Sequence, residues 1–338
     1  MPYADVMSGR SVWTRWLSLV AFAGFFAGAA YAAQEGQPGL ESPAGLEAQS
    51  VLEPQATFRG GVDLVTVRVT VKDNRGRPVT HLQQSDFTLL DRGQAQELSG
   101  FIREPGPIGL ALLFDVSGSM DVSSRLQRAR ETAFFLLSNL RSGQDEVAIY
   151  AFDKTLHLVQ PFTTDLDGLR ARFTSITPWG MTSLHDAIAS AAQVVAPLGS
   201  QRRALVVLTD GFDTSSRLTP AEVSRTASAI DVPVYVMAIA LPIDARKAAR
   251  AASEAEADTG RLSDLARWTG GQLHVMTGPS DASQAARSII QELRHQYLLA
   301  FEPSPAAGWH PLEVRVRGKD YVVRARGGYV VGHSRPAS

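Results

Sequence analysis

The sequence predicts an α/β fold: a doubly wound, mostly parallel sheet that is inserted in, or flanked by, a small antiparallel β-sandwich. Two features lead to this prediction. Between about residues 109 and 294, short continuous apolar runs alternate with segments of helical periodicity, which is typical of a parallel sheet covered by helices on both faces. Before and after this region, apolar and polar residues alternate one by one, as they do in half-buried antiparallel strands.

The N-terminal segment indicates export. Arg10 and Arg15 precede a largely apolar run of about fifteen residues, which is short for a membrane span and typical of a signal peptide. Ala30-Tyr31-Ala32 fits the pattern of a cleavage site, so we expect loss of residues 1–32, no membrane span in the mature chain, and a periplasmic or secreted protein. A retained N-terminal anchor is the alternative. Residues 33–56, rich in proline, glycine and glutamine, are expected to form a flexible linker.

Two short β segments flank the central region, over residues 57–106 and 296–332, before a tail at 333–338. Each has too few strands for a stable core of its own, so we expect the two to fold together. Alternating arginines in the second segment are expected on a solvent-exposed strand face; they are Arg315, Arg317, Arg324 and Arg326. Strands are predicted at 62–72, 87–90, 96–102, 297–301, 312–317 and 321–326, with Gly308 as a break before the second-last of them.

The central region, residues 107–295, supplies the parallel sheet and its helices. Thr219-Pro220-Ala221-Glu222 is its clearest helix start, because it combines a capping box with proline at the first helical position. Other helices are predicted after Ser124 and Ser183, at 264–268 and at 282–294. The apolar runs that predict strands are 110–114, 146–152, 204–208, 232–239 and, at the sheet edge, 272–276.

Composition narrows the classes of function. The 338 residues include 33 basic and 34 acidic side chains, a formal charge of −1, so no overall positive field favours nucleic acid as a partner. The absence of cysteine excludes thiol catalysis, thiolate metal sites and disulfides. A metal site in this chain must therefore use oxygen or imidazole ligands.

Hydroxyl and carboxylate side chains follow the ends of the predicted strands. Asp115, Ser117 and Ser119 come after the first strand, Asp210 comes after the third, and Thr182 lies on a loop that leads into a helix. Ligands bind at the carboxyl ends of the strands in open parallel sheets, so we expect these side chains to converge. Oxygen donors of this kind suit Mg²⁺, Mn²⁺ or Ca²⁺ better than zinc or copper.

The pattern Asp115-x-Ser117-x-Ser119, followed by Thr182 and Asp210, resembles the complete metal-ion-dependent adhesion site of the von Willebrand factor type A (VWA) family. The flanking segments, such as residues 69–80 and 324–329, resemble a bacterial exported group of VWA-related proteins described from Acidobacteria. The resemblance implies a Rossmann-like VWA domain and a divalent ion, usually Mg²⁺. It also implies that the three hydroxyls hold the ion, that the two carboxylates bind it directly or through water, and that one coordination position stays open. An Asp or Glu carboxylate of a partner protein would fill that position, which makes the chain a binding module and not an enzyme.

Two other functions stay open from the sequence. A metal-dependent hydrolase is the first, although Ser117 stands where a haloacid-dehalogenase-like phosphatase needs a second acid, and neither Gly-x-Ser-x-Gly nor His-Glu-x-x-His occurs. The second is a structural envelope protein that a metal stabilises. Near the predicted site, Asp153 is expected to begin a turn, Asp213 to be a solvated loop acid and His185 to be an ordinary histidine, while Trp179 either contacts a partner or packs on the sheet.

Overall fold

The computed structural model describes most of the chain from residue 64 to residue 331. The predicted signal peptide, the linker, the beginning of the first β segment and the tail lie outside the described residues, as does Trp179. The described ranges are 64–103, 105–177, 180–196, 202–211, 213, 215–229, 231–240, 262–318 and 320–331.

The predicted helices and strands occur in the predicted order, together with elements at 156–163, 169–174 and 328–331 that the hydrophobic patterns did not predict. The helices are α1 (Arg125–Ser138), α2 (Leu169–Thr174), α3 (Leu184–Val195), α4 (Pro220–Ala229), α5 (Leu262–Trp268) and α6 (Pro279–Arg294). The strands are β1 (Val65–Lys72), β2 (Phe87–Asp91), β3 (Gln94–Gln96), β4 (Leu98–Ile102), β5 (Ile108–Asp115), β6 (Glu146–Phe152), β7 (Leu156–Thr163), β8 (Arg202–Thr209), β9 (Val234–Ile239), β10 (Leu273–Met276), β11 (Tyr297–Phe301), β12 (Gly308–Val316), β13 (Val322–Arg324) and β14 (Gly328–Val331).

A six-stranded sheet in the order β10-β9-β8-β5-β6-β7 forms the centre of the α/β part. Neighbouring strands are parallel except for β7, which runs antiparallel to β6. Leu110, Leu112 and Phe114 of β5 pack in one core with α1, α2 and α6, while Ala111 and Leu113 pack on the other face with α3, α4 and α5. Helices therefore cover both faces, and β5 lies between β8 and β6 at the point where the strand order reverses.

Two four-stranded antiparallel sheets form the β-sandwich, and each combines strands from before and after the α/β part. Their orders are β13-β1-β11-β4 and β14-β12-β2-β3. A shared core of residues such as Val69, Leu89, Tyr297 and Leu299 fills the space between them. The predicted fold class is therefore confirmed: a doubly wound, mostly parallel α/β sheet inserted in a small antiparallel β-sandwich.

Three details of the β segments differ from the prediction. The single strand expected at 96–102 is two strands in different sheets, because Gln96 pairs with Leu89 of β2 whereas Leu98 pairs with Phe301 of β11. The chain changes sheets at Glu97, a step that alternation alone does not reveal. Strand β12 begins at Gly308, which was expected in the break before the predicted strand at 312–317, and β13 is shorter than the predicted strand at 321–326.

The expectation of an exposed arginine face is wrong for two of the four arginines. Arg324 contacts Glu292 of α6, with Nη2 at 2.5 Å from Oε2. Arg326 is 5% exposed and donates hydrogen bonds to the carbonyl oxygens of Ser228 (2.8 Å) and Thr66 (2.5 Å). These two side chains extend from the sandwich toward the α/β part. Their polar partners are therefore a carboxylate and carbonyl oxygens, and not water. Arg315 and Arg317 are exposed, as predicted.

Candidate metal centre

Asp115 lies at the carboxyl end of the central strand β5 and has no solvent-exposed surface. Its Oδ1 accepts a hydrogen bond from the backbone N–H of Ser117 (2.9 Å), and its Oδ2 accepts one from Oγ1 of Thr209 (2.6 Å). Burial raises the pKa of Asp115 to about 6 against the effect of these hydrogen bonds, and the negative charge of Asp210 adds to the rise. Asp115 is thus a rigidly held carboxylate in a position where a cation would stabilise its charge.

Ser117 and Ser119 lie in the turn that follows β5, where a 3-10 helix (Gly118–Ser124) begins. The two Oγ atoms are 3.0 Å apart. The backbone N–H of Gly118 donates to the carbonyl oxygen of Gly180 (3.1 Å), so the turn is tied to the loop that carries Thr182.

Thr182 is 2% exposed and lies just before α3. Its carbonyl oxygen accepts hydrogen bonds from the backbone N–H (2.9 Å) and Oγ (3.0 Å) of Ser215, which follows β8. Gly180 in the same loop has φ of 87°, and a Cβ at that position would lie 3.0 Å from Oδ2 of Asp153. Glycine is therefore required for the path that brings the Thr182 loop over the strand ends.

Asp210 follows β8, and its side chain is 1% exposed. Nη1 of Arg125 donates to Oδ2 of Asp210 (3.1 Å) and to the carbonyl oxygen of Ser119 (3.1 Å). Sequence reasoning missed Arg125, because a basic residue at the start of an amphipathic helix usually points into solvent.

The structure thus brings the five predicted residues to one edge of the sheet. Direct contacts join Asp115 to Ser117, Ser117 to Ser119 and, through Arg125, Ser119 to Asp210, and the Gly118–Gly180 hydrogen bond brings the Thr182 loop to the same place. The cluster contains two carboxylates and three hydroxyls. Within the described ranges, no group of three or more Asp, Glu or His side chains is placed to hold a metal ion.

The donors of this cluster fit a small divalent cation. In octahedral coordination with bonds of about 2.0–2.1 Å, neighbouring ligand atoms of Mg²⁺ lie roughly 2.8–3.0 Å apart. The Oγ atoms of Ser117 and Ser119 are 3.0 Å apart and form a hydrogen bond, and the same separation is compatible with two neighbouring ligand atoms of Mg²⁺. The buried carboxylates of Asp115 and Asp210 carry two negative charges, and a divalent ion would add positive charge beside that of the Arg125 guanidinium.

Asp213, His185 and Asp153 lie near the cluster but are not among the five predicted ligands. Asp213 is not the solvated loop acid that the sequence suggests, because its Oδ2 contacts Nδ1 of His185 and its side chain is only 18% exposed. Asp153 begins a turn, as predicted, with Oδ1 accepting from the backbone N–H of Thr155 (2.9 Å). Although burial acts in the opposite direction, hydrogen bonds from Thr155 and His157 lower the pKa of Asp153.

Comparison with known proteins agrees with this fold. Residues 110–212, from β5 to just beyond Asp210, match the model of the von Willebrand factor type A domain family. This segment of the chain is therefore similar to a VWA domain. No curated protein matches it.

Several solved structures are similar to the chain at low sequence identity. BatB from Bacteroides thetaiotaomicron, a conserved hypothetical protein, is 21% identical with a TM-score of 0.43, and the match covers 54% of this chain and 97% of BatB. A von Willebrand factor type A structure from Catenulispora acidiphila is 12% identical with a TM-score of 0.45, covering 82% of this chain and 76% of that one. The PilB minor pilin from Streptococcus sanguinis is 16% identical with a TM-score of 0.45; the match covers 57% of this chain and 63% of the pilin, which is less than two thirds of the pilin's length.

Proposed function

We propose that the protein is an exported, metal-dependent protein-binding module. In this proposal its VWA domain captures an acidic side chain of a partner protein through a divalent ion held by Asp115, Ser117, Ser119, Thr182 and Asp210. The observation that carries the proposal is the convergence of these oxygen donors, two of them buried carboxylates, at the carboxyl edge of the sheet.

The donor set supports a binding role for the ion. The hydroxyls of Ser117, Ser119 and Thr182 would be direct ligands, and the two carboxylates would bind directly or through water. Mg²⁺ fits these donors best, and Mn²⁺ or Ca²⁺ can use the same oxygen atoms. Because most direct ligands would be neutral, the bound ion would keep much of its charge and supply a Lewis-acidic position for an incoming carboxylate.

The surroundings of the cluster support access by a partner protein. Asp115, Ser117 and Thr182 are buried, but Gly118, Gly180 and Met181 beside them are exposed, with Met181 at 46%. Ser119 is partly exposed, so a partner side chain can approach the rim of the cluster from solvent. The exposed thioether of Met181 offers an apolar contact at the rim.

Export and the domain division belong to the same proposal. The sequence supports a signal peptide at 1–32 and a linker at 33–56, and no helix of the described residues is long and apolar enough to cross a membrane. The strand pairing supports a VWA domain at 107–295 between the two halves of a β-module. N-terminal sequencing of periplasmic or secreted protein should begin at or near Ala33, and material that begins at Met1 would instead indicate an anchor.

Calorimetric titration with Mg²⁺ tests the metal site. Wild type should bind the ion, and Asp115→Ala should lose at least about tenfold in affinity, because a charged ligand is removed. Asp115→Asn, which keeps the shape of the side chain, should lose affinity as well. Asp167→Asn removes an exposed acid and should bind as wild type does. Circular dichroism checks that each variant is folded, and unchanged Mg²⁺ binding by Asp115→Ala would refute the site.

Cross-linking in the native organism tests the binding function. A partner should be captured by wild type, lost with chelator, and recovered on adding Mg²⁺ to wild type but not to Asp115→Ala. Substituting Asn for the contacted acid of the partner should weaken capture. If chelator lowers the melting temperature but leaves capture unchanged, the metal has a structural role only. Phosphatase or esterase activity that depends on Asp115 would instead show that the protein is a hydrolase.

A further inference from the structure

The further inference rests on the proposed metal site and concerns its affinity. We propose that Arg125 is a positioning residue that sets how tightly the site binds its ion: the guanidinium serves as an internal counter-cation for Asp210 and competes with the divalent ion for that carboxylate. Arg125 is not one of the five predicted ligands. In the ion-free protein its positive charge balances the negative charge of Asp210.

Contacts place Arg125 inside the site. Its Nη1 lies 3.1 Å from Oδ2 of Asp210 and 3.1 Å from the carbonyl oxygen of Ser119, and its side chain is only 10% exposed. It is the first residue of α1, whose apolar face is anchored in the core by residues such as Leu126 and Ala129. The guanidinium is therefore held against the metal-binding loop by the packing of a long helix, and solvent screens it weakly.

The positive charge of Arg125 has opposite effects on the ion-free site and on the ion-bound site. Without an ion, Asp115 and Asp210 are two buried carboxylates, and the cation of Arg125 offsets their desolvation and mutual repulsion. With an ion bound, the guanidinium and the ion have the same sign and share Asp210. Arg125 should therefore stabilise the ion-free protein and weaken ion binding.

A purely structural role predicts the reverse for binding. If Arg125 served only to hold the loop through the Ser119 carbonyl, its removal would disorder the ligands and lower the affinity for the ion. The sign of the change in affinity therefore separates the two roles, and stability alone does not.

The test compares Arg125→Gln with wild type by calorimetric titration of Mg²⁺ in a mildly alkaline, low-salt buffer. Arg125→Gln should bind Mg²⁺ roughly tenfold more tightly or better, while its ion-free form melts at a lower temperature than ion-free wild type. Arg125→Lys keeps the charge and should stay within about threefold of the wild-type dissociation constant. Arg130→Gln is the matched control, because Arg130 lies on the same helix but donates to the carbonyl oxygens of Phe173 (3.0 Å) and Thr174 (3.5 Å), away from the site.

Two further variants keep the test decisive. Arg125→Met keeps the length of the side chain and should show the same tighter binding even where Arg125→Gln does not fold. In an Asp210→Asn background, Arg125→Met should change the affinity clearly less than it does alone, because the shared carboxylate is gone and only the direct repulsion between the guanidinium and the ion remains. Weaker or unchanged Mg²⁺ binding by folded Arg125→Gln or Arg125→Met overturns the inference and leaves the proposed function standing. A wild type that binds no Mg²⁺ overturns the proposed function itself, and the inference with it.

Discussion

His274 in β10 shows how burial changes the chemistry of a single residue. Burial lowers the pKa of His274 to about 4; Glu292 opposes the shift, whereas the cations of Arg324 and Lys72 contribute to it. An unfolded chain takes up this proton near pH 6.5, so the folded state loses stability as the pH falls from about 6.5 to 4, and the contribution is complete above 6.5. We expect His274→Leu to remove this part of the pH dependence of the unfolding free energy, measured by urea denaturation. His81→Leu, at an exposed position, should keep it; an unchanged slope in His274→Leu would contradict the assignment.

At the residue scale, the sequence indicated which residues come together at the sheet edge better than it indicated their surroundings. Asp115, Ser117 and Ser119 are recognisable because their spacing is local, and Asp210 and Thr182 because each ends or precedes a clear element. Arg125 and Arg324 could not be predicted, since their carboxylate partners lie on distant parts of the chain. The sequence alone does not show whether a charged side chain is solvated or pairs with a buried carboxylate.

Strand β11 is the element on which the β-sandwich depends, because it lies between β1 and β4 in its sheet. Along β11, Leu299 is fully buried in the sandwich core while its neighbour Leu298 is only partly buried. We expect Leu299→Ala to cost about 2–5 kcal/mol of unfolding free energy and Leu298→Ala clearly less, since only the first leaves a cavity in a packed core. Chemical denaturation of both variants measures the difference, and equal losses would mean that the sandwich core is not packed as described.

Element prediction succeeded where a segment carries a long, regular pattern. The continuous apolar runs of β5, β6, β8 and β9 are buried on both faces, so their composition alone identifies them. Strand β7 and helix α2 were missed for physical reasons. Strand β7 lies at the sheet edge, pairs with shifts of register, contains Pro161 and leaves Leu158 57% exposed, while α2 has only six residues.

Glu292 links the two parts of the molecule. Its side chain is fully buried on α6 and contacts Lys72 of β1 and Arg324 of β13, while Tyr235 of β9 donates to Oε2 (3.2 Å). Burial opposes ionisation, but these cations outweigh it and lower the pKa of Glu292. The α/β part and the β-sandwich thus share a buried network of charges, and α6 is separated from β11 by only His295 and Gln296.

From this network we expect wild type to unfold in a single calorimetric transition. Glu292→Gln should lower the unfolding free energy by about 3–5 kcal/mol, because it leaves buried cations without their carboxylate. Glu313→Gln breaks an exposed pair with Arg315 and should leave the unfolding free energy close to that of wild type, because solvent screens this pair. Two well-separated transitions in wild type would show that the two parts do not depend on each other.

At the scale of the whole molecule, the central claim is that a divalent ion sits among the five oxygen donors at the sheet edge. Anomalous scattering from crystals grown with Mn²⁺ tests it most directly, because the signal locates the ion without a partner or an activity assay. We expect a peak within about 2.5 Å of the Oγ atoms of Ser117 and Ser119 in wild type, and no peak there in Asp115→Ala. Wild-type crystals with Mn²⁺ bound elsewhere, or with no anomalous peak at these hydroxyls at saturating Mn²⁺, would contradict it.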